Sequence, residues 1–124
     1  MMLELSPDTI ARYRETAKKR RVQEREEIAL RRQQAWVVAK IAAKLLKEKF
    51  KAERVVAFGS LAREVDFTRW SDVDIAAWGI APEDTFRAIG AVMDLGSELV
   101  INLVDINTCR PSLIANIERD GVEL

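Results

Sequence analysis

Four residues near the middle of the chain, Gly59, Ser60, Asp72 and Asp74, have the types and spacing to handle a phosphorylated ligand through a metal ion. Gly59 and Ser60 follow the run Val55-Val56-Ala57-Phe58, whose β-branched and aromatic residues read as a short buried strand. A glycine there lets the backbone turn sharply and approach a ligand closely. The N–H groups that open a following helix, with a hydroxyl among them, make a phosphate site. Asp72 and Asp74 stand two apart in Ser71-Asp72-Val73-Asp74-Ile75, so on a strand both carboxylates point to one face. Two like charges held together repel, and burying them unpaired costs several kcal/mol or forces one to keep a proton. A divalent cation removes that penalty, and hard oxygen donors suit Mg²⁺. A plain strand-to-helix turn would also use Gly-Ser, and an edge strand with outward acids would also use Asp-x-Asp. The two together favour the metal-phosphate reading.

These residues need elements to hold them. Ser6-Pro7-Asp8 reads as a helix start, with Ser6 as cap, Pro7 in the first turn and Asp8 at the positive end. No Gly or Pro follows until beyond Phe50. Residues 7–34 are dense in charge and sparse in apolar side chains (Ile10, Tyr13, Val22, Ile28, Leu30), with Glu15/Lys19 and Glu27/Arg31 spaced for ion pairs. Such pairs do not hold a lone helix, so packing on the domain or on a partner is needed. Trp36, Val38, Ala39, Ile41, Ala42, Leu45, Leu46 and Phe50 form an apolar stripe expected to pack on a sheet. Strands are expected at 54–58, 72–78 and 98–106, the last nearly all apolar and so central or well covered. Helices are expected from Ser60, from Pro82 to Gly96, and from Pro111 to Gly121. The class is α+β, a small mixed sheet of three to four strands flanked by helices. A charged helical extension, 1–34, precedes a domain at 35–124.

The whole composition excludes several classes. With 124 residues the chain is one domain. Twenty basic and twenty acidic residues cancel, so no net field favours nucleic acid or a membrane surface. No apolar run approaches the ~20 residues of a membrane span. Met1-Met2-Leu3-Glu4-Leu5 lacks the layout of a signal peptide, and the single Cys109 fits a reducing compartment, so a cytoplasmic protein is expected. With no histidine, Ser-His-Asp and Cys-His machinery is ruled out, and so is nearly every zinc site. Catalysis must rest on carboxylates, hydroxyls, basic side chains and a metal.

Gly59-Ser60 followed by Ser71-Asp72-Val73-Asp74, within "VVAFGSLARE…WSDVDIA", resembles the signature of the polymerase-beta-type nucleotidyltransferase superfamily. The short chain resembles its minimal nucleotidyltransferase branch, whose members include antitoxins of HEPN-domain ribonuclease toxins. The likeness spans roughly Arg54 to the C-terminus. It implies that Gly59 and Ser60 hold a nucleoside triphosphate, that Asp72 and Asp74 bind Mg²⁺, and that AMP passes from ATP to a tyrosine of the toxin. The superfamily draws a third carboxylate from the next strand, where relatives read Val-Asp-Leu-Val-Asp. This chain reads Ile101-Asn102-Leu103-Val104-Asp105, with asparagine at the catalytic position. Either Asp105 completes the catalytic set with Asp72 and Asp74, or catalysis is weakened and the protein neutralises its partner by binding alone. Alternation puts Asn102 and Asp105 on opposite faces unless a bulge intervenes.

Arg63, three residues after Ser60, is a candidate for the nucleotide phosphates or a structural ion pair. Trp70 and Trp78 flank the acidic strand and either pack in the core or stack on a base. The basic run Arg12, Arg14, Lys18, Lys19, Arg20, Arg21 and Arg25 is a solvated helix face or a surface for an acidic partner; direct binding to nucleic acid is not expected.

Overall fold

In the computed structural model, residues 6–96 and 98–124 are described. Met1–Leu5 and Ser97, the latter just before the expected third strand, lie outside them. Helix α1 runs unbroken over Pro7–Lys49, about 65 Å at 1.5 Å per residue. Ser6 caps it as its residue type predicts, its Oγ accepting from the Thr9 N–H at 3.2 Å. Strand β1 (Arg54–Phe58) follows, then two 3-10 turns (Gly59–Leu61 and Glu64–Asp66) and β2 (Val73–Trp78). A third 3-10 turn (Pro82–Asp84) leads into α2 (Thr85–Met93), so the helix expected from Pro82 starts as a tighter turn and ends earlier. Strand β3 (Ile101–Asp105) is shorter than expected. Helix α3 (Pro111–Asp120) matches its Pro and Gly punctuation, and β4 (Val122–Glu123) follows.

The sheet order is β3-β2-β1-β4. β1 pairs antiparallel with β2 and β4, while β2 and β3 pair in parallel. The apolar β3 is therefore an edge strand, and cover from the α2 layer accounts for its buried side chains. β4 was too short and polar to be read from its own residues. It is fixed by docking on β1, with Arg54 donating to Glu118 at 2.6 Å and to Glu123 of β4 while lying 4.3 Å over the Trp78 ring.

Strand alternation divides the interior into two layers. Val55, Ala57, Val73, Ile75, Ala77, Ile101 and Leu103 face α1 and α2. Val56, Ala76 and Val104 face α3 through Ile117 and Leu113. The stripe of α1 that packs down consists largely of small residues, Ala35, Ala39, Ala42 and Ala43 with Leu46, which lets the helix lie close to the sheet. Ile41 points outward instead, 49% exposed.

Docking of α1 also begins before residue 35. Ile28 packs on the core and Glu24 pairs with Arg69 at 3.5 Å. Of the two expected ion pairs, Lys19 meets Glu15 at 3.5 Å, but Arg31 donates to the Ser71 carbonyl at 3.2 Å. Among the described residues no helix is long and apolar enough to cross a membrane.

Candidate active site

The register of β1 with β2 sets Phe58 opposite Asp74, so the chain leaves β1 beside the acidic pair. Gly59 turns there with φ +69°, a left-handed conformation that favours glycine. A Cβ built on it would lie 2.7 Å from Asp74 Oδ2, too close for any other residue without displacing that carboxylate. The glycine is thus required by conformation and by contact, and the Gly-Ser turn abuts the carboxylate. Ser60, half-buried, follows in a 3-10 turn where a helix was expected, and the leading N–H groups of such a turn lack partners within it.

Parallel pairing of β2 with β3 sets Asn102 beside Asp74. Its Nδ2 donates to Asp74 Oδ1 at 3.1 Å and reaches Asp72 Oδ2 at 3.4 Å. One amide thus spans both carboxylates. Burial raises the Asp74 pKa above the usual carboxylate range, the Asn102 hydrogen bond opposes the rise, and the charge of Asp72 adds to it. Asp74 is therefore biased toward either a proton or a nearby cation. Rotating the Asn102 amide by half a turn would replace its N–H donor with an oxygen, so Asp72, Asp74 and Asn102 form a hard-oxygen donor set that fits Mg²⁺.

Asp105 does not join them. At 3% exposure it accepts from Thr85 Oγ1 at 2.6 Å and from the Asn107 N–H at 3.0 Å, tying β3 to α2 and capping the turn after the strand. Three positions separate it from Asn102, an odd number, so with no bulge it points to the other face. Among the described residues no group of three or more His, Cys, Asp or Glu side chains converges on one point. The expected catalytic role of Asp105 is thus replaced by a structural one.

Arg63 pairs with Asp66 at 3.0 Å and borders a groove of about 210 Å³ beside Gly59. The far wall is α3, through Leu113, Asn116, Arg119 and Asp120. Arg119, about sixty residues from Gly59, is a second cation at this groove, held by Asn116 Oδ1 at 3.0 Å. No local pattern in the sequence marks it, because only the packing of α3 on β1 brings it there. Trp70 is 83% exposed, so it is not a core residue, and Trp78 is stacked under Arg54.

From the opposite layer, α1 holds both halves of the motif. Arg32 Nη2 donates to the Leu61 carbonyl at 2.9 Å and Arg31 to the Ser71 carbonyl, the residues directly after Gly59-Ser60 and directly before Asp72. The Nε atoms of both arginines are buried without a hydrogen-bond partner, a cost accepted to bring the guanidinium ends to these carbonyls.

The family model for a nucleotidyltransferase domain matches residues 39–120. No curated protein matches the chain. Among solved structures the fold is similar to that of a mutant MntA-HpeT toxin–antitoxin, with TM-score 0.53 and 22% identity over 68% of each chain. It is also similar to a toxin–antitoxin crystallised with AMP-PNP, with TM-score 0.55 and 21% identity over 65% of this chain and 67% of that one. A third likeness is to tri-AMPylated Shewanella oneidensis HEPN toxin in complex with MNT antitoxin, with TM-score 0.52 and 17% identity over 72% and 70%. At such identities the likeness establishes the fold. With about two thirds of its length matched, and the Gly-Ser turn after β1 set against the paired aspartates at the start of β2, the chain belongs to the nucleotidyltransferase domain family.

Proposed function

We propose that this protein transfers AMP from ATP to a hydroxyl, a tyrosine, of a cognate HEPN-domain toxin and so acts as its antitoxin in the cytoplasm. The observation that carries the reading is the approach of Gly59 to Asp74, which joins a phosphate-binding turn to a carboxylate pair. Gly59 and Ser60 receive the triphosphate, with Arg63 and Arg119 as the nearby cations and Asp66 orienting the first. Asp72 and Asp74 would hold Mg²⁺, with Asn102 Oδ1 as a further donor once the amide turns, and the ion would supply positive charge against the triphosphate and the departing pyrophosphate. The acceptor oxygen bonds to the α-phosphorus as the bond to the bridging oxygen breaks; pyrophosphate leaves and the hydroxyl proton is lost to water, since Asn102 cannot take it. Residues 35–124 carry this chemistry, with Arg31 and Arg32 bracing the motif from behind, and the helix before those two serves the partner.

A second reading rests on Asn102. An amide cannot accept the acceptor's proton, so its position between Asp72 and Asp74 favours a slow enzyme, or an antitoxin that acts by binding. Incubating the protein with labelled ATP, Mg²⁺ and the cognate HEPN-domain toxin separates the two. Transfer of label to the toxin, lost in Asp72→Ala/Asp74→Ala, supports the enzyme. Absence of label with the toxin still inhibited supports binding alone.

A further inference from the structure

The face of α1 that docks on the domain follows a strict alternation of four and three residues: Ile28, Arg32, Ala35, Ala39, Ala42 and Leu46, all buried or half-buried. The same alternation continues toward the N-terminus beyond the domain, through Arg14, Lys18, Arg21 and Arg25. Every one of these four is exposed, and among the described residues none forms an ion pair. The acidic residues of this half, Asp8, Glu15, Glu24, Glu26 and Glu27, all fall off the seam. A seam that is apolar against the domain apart from Arg32 thus becomes wholly cationic where the domain ends, over about 16 Å of helix. This half of α1 also lies outside the matched residues 39–120.

We infer that Arg14, Lys18, Arg21 and Arg25 form a docking seam for a protein partner that presents carboxylates along a helix at matching three-and-four spacing. A second copy of this chain is disfavoured, since two basic seams repel. Nucleic acid fits less well. The chain has no net charge, and the acids on the other faces of the same helix cancel the long-range field that phosphate binding uses. Val22, exposed beside Lys18 and Arg25, adds an apolar contact suited to a protein surface. The seam is also aimed. Its next positions toward the domain are Ile28 and Arg32, and Arg32 holds the Leu61 carbonyl behind the Gly-Ser turn. A partner on the seam therefore sits past the end of the sheet that carries Asp72 and Asp74. Only the identification of that partner with the acceptor toxin rests on the transfer reading.

The test measures binding of the full chain to the cognate HEPN-domain toxin of the proposed function by calorimetry at low and high salt. The expected result for Arg14→Glu/Lys18→Glu/Arg21→Glu/Arg25→Glu is a loss of affinity of about 100-fold or more in 50 mM salt, narrowing steeply by 500 mM. A variant with lysine at the three arginine positions should keep most of the affinity, with circular dichroism unchanged in both. Equal binding by the reversed variant, or no binding by the wild type, overturns the inference. So does single-stranded RNA binding that the reversal abolishes while toxin binding is unchanged. A toxin held through the seam but never labelled would remove the transfer reading and leave the seam. A toxin labelled and equally bound by the reversed variant would do the opposite.

Discussion

Two sets of acids on adjacent strands have opposite fates. Asp105, at the end of β3, is buried and accepts hydrogen bonds from Thr85 and the Asn107 N–H, so its oxygens are met inside the protein. Asp72 and Asp74, at the other end of the sheet, face each other across one amide, and burial with mutual repulsion makes ionisation of Asp74 costly. An acid whose lone pairs are already taken holds a fold together. An acid pair left short of positive charge is a receptor for it.

The contrast is broken most directly by removing both acids of the pair. Asp72→Ala/Asp74→Ala is expected to lower AMP transfer by roughly 10³-fold, with the melting temperature unchanged or raised. A comparable loss from Asp105→Ala without unfolding would reverse the assignment. Asp105→Ala should instead cost about 2–4 kcal/mol in urea titration, because it strands the Thr85 hydroxyl and the Asn107 N–H. Asn102→Asp sharpens the comparison from inside the site. A third carboxylate supplies the missing proton acceptor, and transfer is expected to rise by about 10–100-fold. An unchanged rate would show that proton removal does not limit the reaction.

The smallest effect is a pH dependence. Because the folded-state pKa of Asp74 is raised, the native protein holds a proton that the unfolded chain has lost. Stability therefore falls as pH rises from the ordinary carboxylate value through the raised one. Asp74→Asn should remove this slope. In metal-free buffer at pH 7 it should be more stable than wild type, a gain absent below the ordinary carboxylate pKa and measurable by melting at a series of pH values.

Much of the site was legible because its signals are local. A strand composition, a glycine and two acids two apart announce a turn and a shared face, and both formed. The helix start at Ser6 and the span of α3 follow from cap and punctuation residues for the same reason. The misreadings are all about neighbours. Ile41 looked like part of the packing stripe, yet alanines pack there and Ile41 faces outward. β3 read as central or well covered because it is apolar; it is the second, an edge strand covered by α2, and which of the two held depended on its neighbours. Arg31 sat at ion-pair spacing from Glu27, yet a carbonyl forty residues away holds it.

The sequence by itself determined which residues could bind a metal-bound phosphate, since residue type and strand alternation need no partner to be known. Tertiary structure alone decided that Asn102, not Asp105, stands beside Asp74, that Arg119 borders the groove, and that α1 holds both halves of the motif. Those outcomes depend on strand register and helix docking, which are set by the summed burial of many distant side chains and leave no local trace in the residues they bring together.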